Sequence, residues 1–499
     1  MDAPVPLIVA SLLAAAAIVL RAPRARASVM LGALVLAPVI LVAHISGTPQ
    51  LRPLRDSPSL AVAAGALGLI VVGLLAFLFH RRPQALPVAA VAALPFRVPI
   101  AAGGSTANLL LPLYLVVAAG TLAHVVPRLR GDLPAEDRPP GAMEWALGAY
   151  LALYGVQAAY SADFSRALEN VVFFYVPFAL LFVALRRVAW TPQLVRVCLG
   201  VLAGLAVALA GIGFVEYATR HIFLNPKVIA SNQLESYFRV NSLFFDPNIF
   251  GRFLIVVMLL LSAWLLWSTR ARAVLAGAAI LAVLWGGLVL TFSQSSFVSL
   301  LVGLAVLGGL RWSARWAALA AAAAVVVAVA VVAIAPGAVR VDLNSSKSAD
   351  QATSGRYALI KGGAQLFADR PIGGWGSGAF PREYRRKEKV SAERATSASH
   401  TIPLTIAAEQ GVVGLAAYLA LLVLAFVRLF RGARHSAARA AIAAAFTALL
   451  AHTMMYAAFL EDPLSWTLLG VGTALAAQAA VGHRVRRAPA AGERVTAPA

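Results

Sequence analysis

The chain has 499 residues, of which 61% are hydrophobic and only 13% charged, with a formal net charge of +21. So apolar a composition at this length excludes a soluble globular protein. The positive balance would suit a nucleic-acid partner, but Lys and Arg gathering in short cytoplasmic loops of a membrane protein explains it without one. The single cysteine, Cys198, excludes an intramolecular disulfide and a thiolate metal cluster, and lies in an apolar run as packing.

Apolar runs of about 20 residues, each long enough to cross a bilayer as a helix, recur along the chain. They fall near 5–20, 28–43, 59–79, 84–98, 107–127, 142–160, 168–187, 193–217, 248–267, 272–289, 294–311, 314–336, 402–427, 437–456 and 463–481. The first lacks a basic leader and a small-residue cleavage site and reads as a span, not a removed signal peptide. The weakest is 84–98, which is short and holds Pro87, Pro95 and Arg97; it reads as re-entrant or broken. The expected fold is an all-α integral membrane protein, a polytopic helical bundle of about 14–15 transmembrane segments with one large extracytoplasmic loop.

Alternate joints are basic: Arg21/Arg24/Arg26, Arg81/Arg82, Arg128/Arg130, Arg186/Arg187, Arg270/Arg272, Arg311/Arg315, Arg428/Arg431/Arg434 and Arg484/Arg486/Arg487. With every span kept, all of these lie on one side, the cytoplasm by the positive-inside rule. The C-terminus is then inside and the N-terminus outside. The chain divides into N-terminal helices (1–217), an outer loop (218–247), central helices (248–336), a large outer loop (337–400), C-terminal helices (401–482) and a basic cytoplasmic tail (483–499). The 337–400 loop carries eleven Lys/Arg against six Asp/Glu. A basic outer segment runs against the topological trend; an anionic ligand explains it, and so does an ordinary solvated loop. Arg385-Arg386-Lys387-Glu388-Lys389 has the look of a solvated helix face.

Ionisable groups at membrane depth are costly and mark candidate sites. Arg252 sits one turn into the 248–267 helix and Glu409 two turns into the 402–427 helix. His452 lies near the outer end of 437–456, with Glu461 and Asp462 in the next outer turn. The plainer reading of the first two is an Arg252–Glu409 ion pair between helices. No acidic chain crosses the membrane as in a proton- or sodium-coupled transporter, and no Walker A sequence indicates ATP. No His/Cys/carboxylate cluster has metal-ligand spacing, so no metal and no cofactor are expected.

Three outer-face segments stand out. Phe238-Arg239-Val240-Asn241 leads into Asp246-Pro247-Asn248-Ile249-Phe250-Gly251-Arg252. Ser354-Gly355-Arg356 precedes Asp369-Arg370-Pro371-Ile372-Gly373-Gly374-Trp375-Gly376-Ser377-Gly378. Ser399-His400-Thr401 opens a helix carrying Glu409-Gln410-Gly411-Val412-Val413-Gly414. Asp246 reads as a helix cap with Pro247 in the first turn. That helix end would also favour a nearby anion. The glycines read either as a phosphate cradle or as a tight turn after Pro371. His400 reads either as a base or as a cap of the following helix, and Arg239 and Arg356 either as anion ligands or as loop ion pairs.

In this order and on one side, the three segments resemble the O-antigen ligase / O-antigen polymerase superfamily of bacterial membrane glycosyltransferases. The detailed likeness covers about 235–415. It departs at Thr401, where the family usually has Asn after the histidine, at Thr291-Phe292-Ser293-Gln294, where it often has Ser-Arg, and in the long N-terminal part. These departures blur ligase against polymerase.

The resemblance implies a glycosyltransferase of the inner membrane. Its site would face the periplasm or exterior, and it would take a glycan from a polyprenyl (undecaprenyl) pyrophosphate carrier. The acceptor would be a hydroxyl of a glycan or lipid-glycan. Arg239 and Arg356 match the family's arginines, with Arg252 as a third, and would bind the pyrophosphate bidentately in place of a metal. His400 would be the general base, and direct attack would invert the anomeric centre. Asp246, Asn248 and Glu409 would support. The competing readings are a transporter or flippase of lipid-linked oligosaccharide and a non-catalytic envelope scaffold.

Overall fold

The computed structural model describes residues 4–45, 56–102, 105–132, 139–223, 238–316, 356–389, 401–456 and 458–487, with isolated positions between them. Its helices are α1 (Pro4–Val19), α2 (Pro23–Ile45), α3 (Pro58–Arg81), α4 (Ala85–Ala93), α5 (Leu111–Arg130), α6 (Ala142–Ala158), α7 (Phe164–Asn170), α8 (Val176–Arg186), α9 (Pro192–Thr219), α10 (Pro247–Trp267), α11 (Ala271–Thr291), α12 (Gln294–Arg311), α13 (Arg356–Asp369), α14 (Phe380–Glu388), α15 (Ile402–Phe430), α16 (Ala437–Thr453) and α17 (Pro463–Arg487). One π-helical turn, Val171–Tyr175, joins α7 to α8.

Among the described residues nine helical stretches are long and apolar enough to cross a membrane, and Pro4–Val19 and Ala437–Thr453 are shorter apolar helices. The protein is thus an all-α polytopic membrane protein, apart from one antiparallel hairpin, β1 (Val98–Ala102) with β2 (Ser105–Leu109). Expected spans and helices coincide at most positions. At 84–98 the helix is nine residues long, about 13.5 Å at 1.5 Å per residue, and breaks before Pro95. A helix of that length crosses less than half the hydrocarbon core. The span expected at 314–336 lies largely outside the described residues.

Helices pack where small residues let backbones approach, as membrane interfaces require. A Cβ on Gly155 of α6 would fall 2.4 Å from Ser11 Cβ on α1, and one on Gly303 of α12 would fall 2.4 Å from Leu259 of α10. Helices α10, α12 and α16 form a tight trio, whereas α3 turns Leu67, Leu69, Ile70 and Leu74 outward as a lipid-facing helix does. At the end of α8, Arg187 lies beside His124 at 2.5 Å, and Arg186 pairs with the buried Glu144 at 3.2 Å.

Candidate functional site

The segment that carries Arg239 is held by the end of α9. Glu216, fully buried at the end of α9, accepts from the backbone N–H groups of Asn241 at 3.1 Å and Ser242 at 2.7 Å. Ser242 takes φ +52 and donates its hydroxyl to the Leu209 carbonyl at 2.8 Å. This turn aims Arg239 at the start of α10. Its Nε donates to the Thr291 carbonyl at 2.9 Å and its Nη2 to Asn248 Oδ1 at 3.2 Å. Asp246 caps α10, accepting from Asn248 N at 2.6 Å, with Pro247 at the first helical position. Arg239, Asp246 and Asn248 therefore stand together at one helix N-terminus.

Ser293 joins this group by donating to Asn248 Oδ1 at 2.9 Å. Phe292, at φ +50, forces the sharp break that makes Ser293 the N-cap of α12. The departure from the family text at 291–294 thus falls on a hydroxyl-rich helix start. Ser295 and Ser296 meet His452 Nε2 at 3.2 and 3.1 Å, and His452 Nδ1 accepts from Arg252 Nε at 3.2 Å. That pattern fits the neutral tautomer with the proton on Nε2.

Arg252 does not pair with Glu409. It is 1% exposed and its Nη1 donates to Asp462 Oδ2 and to the Ala458 carbonyl, both at 2.8 Å. Its charge is spent inside the protein, so its geometry suits holding the 454–462 segment against α10 better than touching a ligand.

Glu409 has another task. Its carboxylate accepts from Gly378 N at 2.8 Å and Phe380 N at 3.1 Å, satisfying the first turn of α14. Its carbonyl accepts from Gly376 N at 2.8 Å. The glycine-rich segment is a tight turn, with Gly374, Gly376 and Gly378 at φ +66, +93 and +77. It docks where α15 breaks at Gly411, whose φ of 65 and ψ of −166 are non-helical. A Cβ on Gly411 would lie 2.1 Å from the Ile372 carbonyl oxygen, and one on Gly376 would lie 2.2 Å from Ser161 Cα. The N–H groups of Gly374, Gly376 and Gly378 bind carbonyls or the Glu409 carboxylate, so they do not form a phosphate cradle. On α14, Arg386 pairs with Glu383 at 2.6 Å while remaining 66% exposed, as a solvated face does.

His400 lies outside the described residues. Its neighbour Thr401 donates to the Met454 carbonyl at 3.2 Å, tying the start of α15 to the end of α16. Arg356 opens α13.

Beside these groups lies a cavity lined by residues the sequence did not single out, among them Tyr150, Tyr154, Arg166, Asn170 and Tyr418, together with Arg97, Glu409 and Glu461. Burial holds the Glu461 carboxyl above its ordinary range, against the opposing pull of backbone hydrogen bonds and of the Arg166 and Arg252 charges. The one clue in the sequence was Arg97 at the end of a span that was too short.

Fold and site together define a polytopic membrane protein with a buried polar site between helix ends. Residues 279–419 match the family model described as O-antigen ligase. The matched stretch runs from α11 through the glycine turn into α15 and supports the superfamily resemblance of the second and third segments. No curated protein matches the chain.

Proposed function

We propose that the protein is an inner-membrane glycosyltransferase that moves or polymerises a glycan from a polyprenyl-pyrophosphate carrier onto an acceptor hydroxyl at the outer face. The O-antigen ligase match over 279–419 carries this reading, because it spans the glycine turn, His400 and Glu409. His400 takes the proton from the acceptor hydroxyl as its oxygen bonds to the anomeric carbon. The bond from that carbon to the pyrophosphate oxygen breaks, its electron pair leaves with the carrier, and the configuration inverts.

Arg239 and Arg356 bind the leaving pyrophosphate. Guanidinium forks match phosphate oxygens bidentately and supply the charge without a metal or a nucleotide sugar. Asn248 holds Arg239 at the positive end of α10, which Asp246 caps. Arg252 and Glu409 position: the first fixes the 454–462 segment and the second fixes the glycine turn.

The test is glycan transfer in membranes supplied with a polyprenyl-pyrophosphate-linked donor, comparing wild type with His400→Ala at equal expression. Transfer by the wild type and its loss in the variant support the reading. Equal transfer by both sinks the assignment of His400, and the ladder of product sizes separates polymerase from ligase.

A further inference from the structure

A second cavity opens among α4, α9, α10, α16 and α17. Its volume is about 470 Å³, within the roughly 300–1,000 Å³ typical of small-molecule sites. Leu199 and Leu202 of α9, Val256 and Leu260 of α10, and Leu468 and Val471 of α17 give it an apolar wall. Among the described residues Arg196 is the one charged side chain of its lining. Arg196 is exposed and makes no ion pair or hydrogen bond among the described residues.

This cavity lies away from the Arg239 site. Arg196 sits in the second turn of α9, whereas Glu216, which holds the Arg239 segment, sits near its other end. The 20 residues between them span about 30 Å along the helix, which is the thickness of a hydrocarbon core. A phosphate held at Arg239 therefore cannot also sit at Arg196. The mouth of the cavity joins Arg196 to Trp190, Trp264 and the start of α16 at Ser436. Trp264 stands one turn from the end of α10, and Trp190 just before α9. Indole rings at such ends suit the level of lipid headgroups. Neither α9 nor α16 carries an acidic residue in its first turn, so the Arg196 charge adds to the positive ends of two helices. From Pro192 to Leu202 the α9 lining runs about 15 Å, half the hydrocarbon core and the depth that one leaflet's acyl chain fills.

The two parts of the cavity narrow the ligand. A wholly apolar guest would leave Arg196 without an anion, and a free phosphate would leave the apolar wall unfilled. A zwitterionic headgroup would bring its own cation to the mouth. An anionic phospholipid satisfies both parts: its chain packs on the wall, and its phosphodiester oxygens accept from the guanidinium fork. We propose that this cavity binds one acyl chain of an anionic phospholipid, with the lipid phosphate paired to Arg196 at the membrane face opposite the Arg239 site. This assignment is independent of glycan transfer.

The test is photo-crosslinking of the purified full-length protein in nanodiscs. Three probes carry a diazirine in the chain: phosphatidylglycerol, phosphatidylcholine and a polyprenyl phosphate. Labelled peptides are mapped by mass spectrometry. Phosphatidylglycerol labels the α9 and α17 peptides that carry Leu199 and Leu468, and phosphatidylcholine labels them several-fold less. Arg196→Gln lowers the phosphatidylglycerol labelling of these peptides roughly fivefold, the worth of one cation at an anionic headgroup, and Arg196→Lys keeps most of it. Labelling of the outward-facing α3 stays constant in every variant and serves as the reference. Because Arg196 is exposed and unpaired among the described residues, its replacement leaves the helix packing in place. The proposal is overturned if the two phospholipids label the cavity peptides equally, or if Arg196→Gln labels as the wild type does. It is likewise overturned if the polyprenyl phosphate labels these peptides and phosphatidylglycerol does not, which would make the cavity a channel for a carrier's tail. The readout is binding alone, so loss of glycan transfer in any assay would leave it unchanged.

Discussion

Breaking the Arg252–Asp462 pair should destabilise the protein more than any other single charge change at the site. The side chains are 1% and 4% exposed and meet at 2.8 Å. Removing one partner of such a pair strands a buried charge and costs about 3–5 kcal/mol. Asp462 has a second role, because its other oxygen accepts from Leu464 N at 2.9 Å at the start of α17. Losing that cap adds about 1 kcal/mol. Asp462→Ala should therefore lose both contributions, whereas Asp462→Asn keeps the cap oxygen and loses only the charge. Replacing both partners by apolar groups, Arg252→Met with Asp462→Leu, should recover much of the loss, with a coupling on the order of 2–3 kcal/mol. The assay is thermal unfolding of the detergent-solubilised protein, followed by tryptophan fluorescence and by the monodisperse fraction after heating. Two results would refute the reasoning: Asp462→Ala melting with the wild type, or the double variant losing the sum of the two single losses.

Two further outcomes follow from the same geometry. Gly411→Ala should strip the α15 break of its glycine turn, because the new methyl would meet the Ile372 carbonyl at 2.1 Å and the backbone φ is +65. Backbone strain alone costs about 1–3 kcal/mol there, whereas Gly65→Ala, with open space around it, should be neutral or stabilise by up to about 1 kcal/mol; equal melting of the two variants would count against the docking described. Glu461 gives a pH signature. Burial raises its folded-state pKa above the ordinary 4.5, so the stabilising form is the protonated one. That stability is fully present below about 4.3, the usual Glu value, and is lost as pH climbs through the raised folded value. Glu461→Gln should flatten the loss over that window, and an unchanged slope of melting temperature against pH would disprove it.

Much of the fold was legible because hydropathy over about 20 residues is decided by one large term, the cost of an unsatisfied backbone in lipid. The cap at Asp246 and the turn at Gly374–Gly378 were legible for a similar reason: each is set within a few residues by local hydrogen bonding or by positive φ. What failed was pairing across the chain. Arg252 finds Asp462 at a sequence separation of 210, and no local pattern encodes that choice over Glu409. Glu409 was read as a membrane charge seeking a cation, yet backbone N–H groups satisfy it. Asn170 and Tyr418 were hidden in helices that score as lipid-like, where a single polar side chain barely lowers the mean hydropathy. Arg97 was visible only as a blemish in a weak span. A cation just past a helix too short to cross was the available signal.

The central claim is that the glycan leaves its carrier at this site. The most direct measurement is the release of polyprenyl pyrophosphate in proteoliposomes loaded with lipid-linked glycan and offered acceptor from outside. One carrier pyrophosphate should appear for each glycan transferred, and its release should cease in His400→Ala and fall steeply in Arg239→Ala. Movement of the glycan across the bilayer still attached to its carrier, with no pyrophosphate released, would contradict the account and establish a transporter instead.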